Sequence, residues 1–404
     1  MSKKILFCSL FILIFLISSK QDSNAKTWKD TTVQADSIIA AIERGDSVII
    51  AGCEISGPLV KKGTPGKPDT IRSLIRIWNS IFYDSVFFSS CCFMNELKFE
   101  ATSFTIWVFF NDVTFTDRAF FTWSTFEEHA GFWFCTFRES ALFWKPTFYG
   151  SAGFGETIFC GRADFSYATF SEDAWFLDAI FKEDAIFSEA TFRGNTRLRN
   201  TTFGGQVDLS HIEFESLDLS WKQLSGHLTC DPPTSHRLMK DFEEKRQLDD
   251  ADGVYLFLKD QERRHKKWYI RYPEYWFIQQ TCGYGTKPLN TLYLSAGIII
   301  LFAIFYTKSN AIREIEKELG HRRRRRKYRI VRKGFGKRFY DALYFSVHTF
   351  IIGVVSDGYP TDEFLINFWK IKRIKFRTLA MIEGALGWIL LVLFVVTLTR
   401  KFIR

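Results

Sequence analysis

A four-sided β-solenoid with helical caps, followed by a C-terminal α-helical transmembrane module, is the fold that this 404-residue sequence predicts. Three observations carry the prediction. Phe occurs 44 times and aromatics make up 17 % of the chain, so something regular is consuming Phe. From Ile77 to Phe214 an apolar residue recurs at alternating steps of five and six without a slip. Two long apolar segments, Leu292 to Tyr306 and Thr378 to Leu398, follow near the end.

The repeat opens with Ile77, Phe82, Phe88, Phe93, Phe99 and Phe104 and closes with Leu198, Phe203, Leu209 and Phe214; 23 of its 26 stations are Phe. Two residues before each station lies a second column of small or moderately apolar residues, among them Ala119, Ala130, Cys135, Ala141, Ala152, Thr157, Ala163 and Val207. Side chains two apart share one face of a strand, so both columns face inward. The rival is a helix with an eleven-residue period. At about 100° per residue the five and six steps would split Phe into two stripes with no single apolar face. Phe and Thr are also poor helix formers. In the solenoid, two eleven-residue units close one coil with a station on each side. Rings then stack from coil to coil at about 4.8 Å. The 26 stations fill between six and seven coils.

The motif Ala163-Asp164-Phe165-Ser166-Tyr167-Ala168-Thr169-Phe170 resembles the pentapeptide-repeat family. That resemblance covers about 71–220 and implies a right-handed quadrilateral β-helix. The extra residue on every second side departs from the usual five. Members of the family do unrelated things, so the resemblance fixes the fold and not the function.

The flanks read as caps and a leader. Lys3 and Lys4, apolar Ile5 to Ile17 and Ser23-Asn24-Ala25 form an export signal over 1–25, with an uncleaved anchor as the alternative. Residues 26–70 are the N-terminal cap: a helix from Gln34 to Arg44 stopped by Gly45, then a strand from Ser47 to Leu59. After the repeat, 221–290 form a helical cap and linker. There Asp231-Pro232-Pro233 breaks the pattern, and Asp249 to Gly253 turns the helical stretch Ser235 to Trp268 into a hairpin. Cys91 and Cys135 fall on the inner column and read as small buried hydrophobes. Cys230 with Cys282 is one pairing open to a disulfide.

Charge separates the chain into parts. The net charge is +9 overall, but 71–220 carries 11 Lys/Arg against 20 Asp/Glu. The segment Lys308 to Arg338, with its run Arg322 to Lys327, is strongly basic. Beside an apolar span, such a segment is oriented toward the cytoplasm and contacts anionic lipid. No nucleic-acid partner is expected. The resemblance to acidic members of the repeat family also implies DNA mimicry, but export and membrane spans argue against a cytosolic enzyme target. The seven His residues are scattered, and neither a nucleophile motif nor a phosphate-binding Gly loop is present, so no enzyme and no cofactor or metal is expected.

Within 291–404 a second resemblance arises. Asp341-Ala342-Leu343-Tyr344-Phe345-Ser346 with Thr349-Phe350 resembles the pore helix of two-span potassium channels. Leu379-Ala380-Met381-Ile382-Glu383-Gly384-Ala385-Leu386-Gly387-Trp388 resembles their inner helix, and Cys282-Gly283-Tyr284-Gly285 the linker found where this module is fused to pentapeptide repeats. The resemblance implies an ion-channel pore module in a multi-pass membrane protein, passing monovalent cations as a homo-tetramer, with membrane lipids as partners. The pore-like segment would be Thr349, Phe350, Ile351, Ile352, Gly353, Val354, Val355, Ser356 and Asp357. It has one Gly and lacks the Gly-aromatic-Gly core that lines up filter carbonyls, which argues against potassium selectivity. Glu383, with Gly384 and Gly387 beside it, is an ionisable residue inside a span, functional by default. Two topologies stay open: two spans with a re-entrant Phe339 to Val355, or three spans.

The functional readings are therefore two. One is an exported solenoid joined to a degenerate, channel-like pore module. The other is a membrane-anchored extracytoplasmic binding or scaffold protein. The second rests on aromatics beside the stations: Phe109, Phe120, Trp123, Trp133, Phe134, Leu142, Trp144 and Trp175, expected as one exposed strip for sugar, cell-wall or protein contact.

Overall fold

The computed structural model describes residues 25–308, 334–353 and 378–400, with the backbone alone at 315–317, 328–330, 376–377 and 401–403. The expected export signal lies outside the described residues. Two compact units divide the chain, Met1–Tyr255 and Leu256–Arg404.

The first unit is a parallel β-solenoid of about nine turns, and one of its sheets has ten strands. Its register follows the sequence period. Leu97 pairs with Ala119, Ala119 with Ala141, Ala141 with Ala163 and Ala163 with Ala185. On the next side Phe104 pairs with Phe126, Phe126 with Phe148 and Phe148 with Phe170. Alternation does the sorting: Ala119 and Phe121 are fully buried, and Phe120 between them is half-buried. The ladder also extends upstream of Ile77. Strand Ala25–Lys29 pairs with Ser47–Ala51, which pairs with Ile75–Trp78. Residues 25–70 therefore contribute coils of their own, into which helix α1 (Ala35–Arg44) is inserted. Gly45, at φ 79°, ends α1, and its buried residues Ala35, Ile38, Ala41 and Ile42 face the first strands.

The interior is a lattice of rings. Along each side they stack: Phe121 on Phe143 at 4.9 Å and Phe132 on Phe154 at 5.1 Å, with planes within 6°. Across the coil they meet edge to face, Phe121 with Phe132 at 5.1 Å and 78°. Both geometries suit the ring quadrupole. Polar atoms on the inner column are satisfied by backbone. Ser124 Oγ donates to the Phe99 carbonyl at 2.9 Å, Thr201 Oγ1 to that of Phe176 at 2.7 Å, and Thr157 likewise to Phe132. Cys91 and Cys135 are buried on this column, as expected, and both thiols point at carbonyls; burial pushes Cys91 up to about 11.

The eleven-residue unit has a conformational cause. Every eleventh residue from Asn79 to His211, thirteen in all, is left-handed with φ between 48° and 60°. Each lies two residues after a station, inside the five-residue step, so left-handed corners alternate with longer corners that have none. None of the thirteen is Gly, and the left-handed form costs about 1 kcal/mol or more per residue. The cost is offset by coil-to-coil hydrogen bonds from these residues, such as Trp123 N–H to the Trp144 carbonyl at 3.0 Å and Lys145 N–H to that of Ser166 at 2.8 Å.

Helix α2 (Pro232–Glu244) and helix α3 (Leu248–Arg264) follow the last coil. The hairpin turn expected at Asp249 to Gly253 lies instead at Arg246, which is left-handed at φ 59°. Asp249 and Asp250 occupy the first turn of α3, where carboxylates favour the helix N-terminus. Asp250 also accepts the Trp221 N–H at 2.9 Å. Asp231 caps α2, accepting from Thr234 Oγ1 at 2.7 Å and from the His211 N–H at 2.6 Å.

In the second unit, α4 (Trp268–Glu274) runs into a π-helical turn (Tyr275–Gln279). The long apolar helices α5 (Pro288–Lys308) and α7 (Phe376–Ile403) come next, with α6 (Phe335–Ile352) between them in sequence and packed on both. By length and composition, Pro288–Lys308 and Thr378–Arg400 are the two candidate membrane spans among the described residues. They run antiparallel. Tyr306, near the end of α5, meets Glu383, near the start of α7, and Arg400, near the end of α7, donates to the Tyr284 carbonyl just before α5 at 2.7 Å.

Candidate functional site

Glu383 is fully buried where the three helices meet. The Tyr306 hydroxyl of α5 donates to one carboxyl oxygen at 2.8 Å, and Ser346 Oγ of α6 bonds the other. Ser346 Oγ also lies 3.0 Å from the Ile299 carbonyl. One carboxyl group thus draws on a residue from each neighbouring helix, a demanding arrangement inside an apolar bundle. Around it pack Ala303, Tyr306, Ala342, Phe345 and Ala380.

Close approach explains the two glycines. A Cβ on Gly387 would come within 2.0 Å of the Phe350 carbonyl oxygen, and one on Gly384 within 3.1 Å of that of Thr349. The end of α6 therefore rests directly on the α7 backbone, the close approach that small residues allow between helices. Gly353 closes α6 in the left-handed form at φ 71°, its N–H bonded to the Thr349 carbonyl at 2.9 Å, and the Trp388 indole lies against it.

The structure describes the first part of the pore-like segment, as far as Gly353. Thr349, Phe350, Ile351 and Ile352 are still helical, so their carbonyls run along the helix axis and form no extended row. Phe350 is buried, Ile351 and Ile352 are exposed, and buried Thr349 Oγ1 has no hydrogen-bond partner among the described residues. Val354, Val355, Ser356 and Asp357 lie outside the described residues, as does most of the basic segment after Lys308.

The aromatics expected as one strip divide between two opposite sides of the coil. Phe120, Trp123, Leu142 and Trp144 belong to the side of stations Phe121 and Phe143. Phe109, Trp133, Phe134 and Trp175 belong to that of Phe110, Phe132 and Phe176, two sides further round. A column beside the stations cannot stay contiguous when successive stations turn a corner. The first group ends in an exposed row. Lys145 Nζ sits 4.2 Å over the Trp123 ring, Trp123 meets Trp144 at 5.2 Å, and Trp144 meets Tyr167 at 6.0 Å. Tyr167 was missed from sequence. Its place at a left-handed corner, 44 residues after Trp123, is the signal that finds it. In the second group Trp133 lies over Gly131, Gly153 and Gly155, where any Cβ would strike its ring within 2.7 Å. It fills a trench in the solenoid wall, half-buried, with Trp175 at 6.0 Å.

Chemistry is sparse elsewhere. All seven described cysteines are free thiols, Cys230 and Cys282 included; Cys230 Sγ lies 3.0 Å from Ser235 Oγ. No cluster of His, Cys, Asp or Glu fit to hold a metal occurs among the described residues.

The family model for pentapeptide repeats (9 copies) matches residues 132–180 and 176–220. No curated protein and no solved structure matches the chain. Sequence period, coil register and family match agree, and the solenoid of this chain is built of pentapeptide repeats.

Proposed function

We propose that the protein is a two-span membrane protein that carries its solenoid on the extracytoplasmic side and uses α5, α6 and α7 as a degenerate, cation-conducting pore module assembled from several copies. The observation that carries this reading is the seating of α6. An anchor needs two spans only, yet here a third helix is pinned by Glu383 through Ser346 and rests on Gly384 and Gly387. Within Phe339 to Val355, Asp341 and His348 make a span of only 17 residues costly, which favours the re-entrant over the three-span topology. The purified protein in liposomes should carry a monovalent-cation flux that Gly387→Leu abolishes, because the added side chain displaces the end of α6. Asp357→Asn should change the conductance. Silent vesicles holding correctly folded wild-type protein would remove the pore from the reading and leave the anchor.

The second reading, an anchored binding or scaffold protein, is favoured by the Trp123–Trp144–Tyr167 row. Exposed rings along one edge suit a sugar face or a partner's apolar strip. If Trp123→Ala with Trp144→Ala leaves binding to a panel of cell-wall glycans and membrane proteins unchanged, that reading fails.

A further inference from the structure

We infer that residues 268–278 form an interfacial anchor lying in the headgroup layer of an anionic bilayer, just ahead of span α5. The inference rests on the reading that α5 and α7 cross a membrane.

Its starting point is inverted amphipathicity. Trp268 is 72 % exposed, Phe277 69 % and Trp276 64 %, with Tyr269, Ile270 and Tyr272 also exposed. At about 100° per residue these six fall within one arc of roughly 200°, while Ile278, the least exposed of these exposed apolar residues at 39 %, lies outside it. The polar members turn the other way. Half-buried Glu274 takes Lys266 Nζ at 2.7 Å and the Tyr284 hydroxyl at 3.0 Å, and the Arg263 guanidinium sits 5.0 Å over the Tyr275 ring. A surface helix in water would place these groups in reverse.

Composition and position choose the occupant. Four of the six exposed residues are Trp or Tyr, the residues that settle at the membrane–water boundary with the ring in the acyl edge and the polar atom in the headgroups. Exposed Lys267, just ahead of Trp268, adds a charge complementary to anionic lipid. Span α5 starts at Pro288, only nine residues after Gln279, and Gly283 and Tyr284 turn the chain in between with φ of 55° and 52°. Arg400 at the far end of α7 binds this turn, so the aromatic arc stands at the level where both candidate spans end.

The test uses the full chain in nanodiscs of anionic lipid brominated either near the headgroup or near the chain ends. Emission of Trp268→Phe/Trp276→Phe is subtracted from wild type, and both replacements keep the apolar arc. The difference emission should be quenched about twofold or more by headgroup-side bromine relative to chain-end bromine. Difference emission indifferent to bromine at both depths overturns the anchor, whether the rings then face water or a second copy. Release of the protein by alkaline carbonate, with no chain-end quenching of the emission remaining in the variant, would instead overturn the spans.

Discussion

Replacing Phe143 by Ala probes the physical basis of the solenoid. The ring is fully buried, stacked on Phe121 at 4.9 Å and on Phe165 at 4.8 Å, and meets the edges of Phe132 and Phe154, each at 5.2 Å. Losing a buried Phe costs about 3–5 kcal/mol where the site cannot collapse. Strands fixed above and below by parallel ladders leave little room for collapse, so about 4 kcal/mol is expected. Phe203, stacked on Phe181 at 5.4 Å and 7 % exposed, lies near the end of the pile and should cost about 2 kcal/mol. Because each coil touches only its neighbours, the damage stays local. Hydrogen exchange read by mass spectrometry on the full chain should show amides of 119–165 losing protection by about a thousandfold, with α5 and α7 unchanged. A loss below about tenfold, or one spread evenly along the solenoid, would refute the argument that stacked rings hold it together.

Glu383→Ala should loosen the bundle by about 2 kcal/mol by removing the carboxylate that accepts from Tyr306, Ser346 keeping the Ile299 carbonyl, while Glu383→Gln keeps most of the contacts; thermal unfolding in detergent would rank the two. Asp231 gives a pH dependence. Desolvation raises its carboxyl, but the His211 and Thr234 hydrogen bonds outweigh that and hold it below the usual range. A depressed folded value contributes stability that is present at neutral pH and lost as pH falls through it. Melting curves of Asp231→Ala should accordingly lie about 1 kcal/mol below wild type at pH ~7, with the gap narrowing as the pH falls toward ~2. For topology, reporters fused after Lys308 and Gly358 should share a side, with one after Arg404 opposite; Gly358 opposing both others would restore the three-span alternative.

Much of the solenoid was legible in the residues because its period is strict. A Phe station that slipped by one would turn its ring to solvent, so the column at Phe121, Phe143 and Phe165 can be read without coordinates. Ala35–Arg44 and its Gly45 stop were equally readable, since helix propensity and a left-handed cap are local properties. Local signals failed where partners are distant. The turn at Arg246 depends on Trp221 meeting Gly253 and Asp250, and nothing near residue 246 announces it. The aromatic strip divided because neighbouring columns of the sequence wrap to opposite sides of a closed coil. Glu383 could be flagged from sequence as a carboxyl in an apolar helix, but its partners Tyr306 and Ser346, 77 and 37 residues away, could not. The inverted face of Trp268 to Phe277 likewise took shape only when Glu274 and Tyr275 found partners within their own unit. Period and cap chemistry are written residue by residue; which side a ring or a carboxyl finally meets is decided by packing, because burial belongs to the folded chain as a whole.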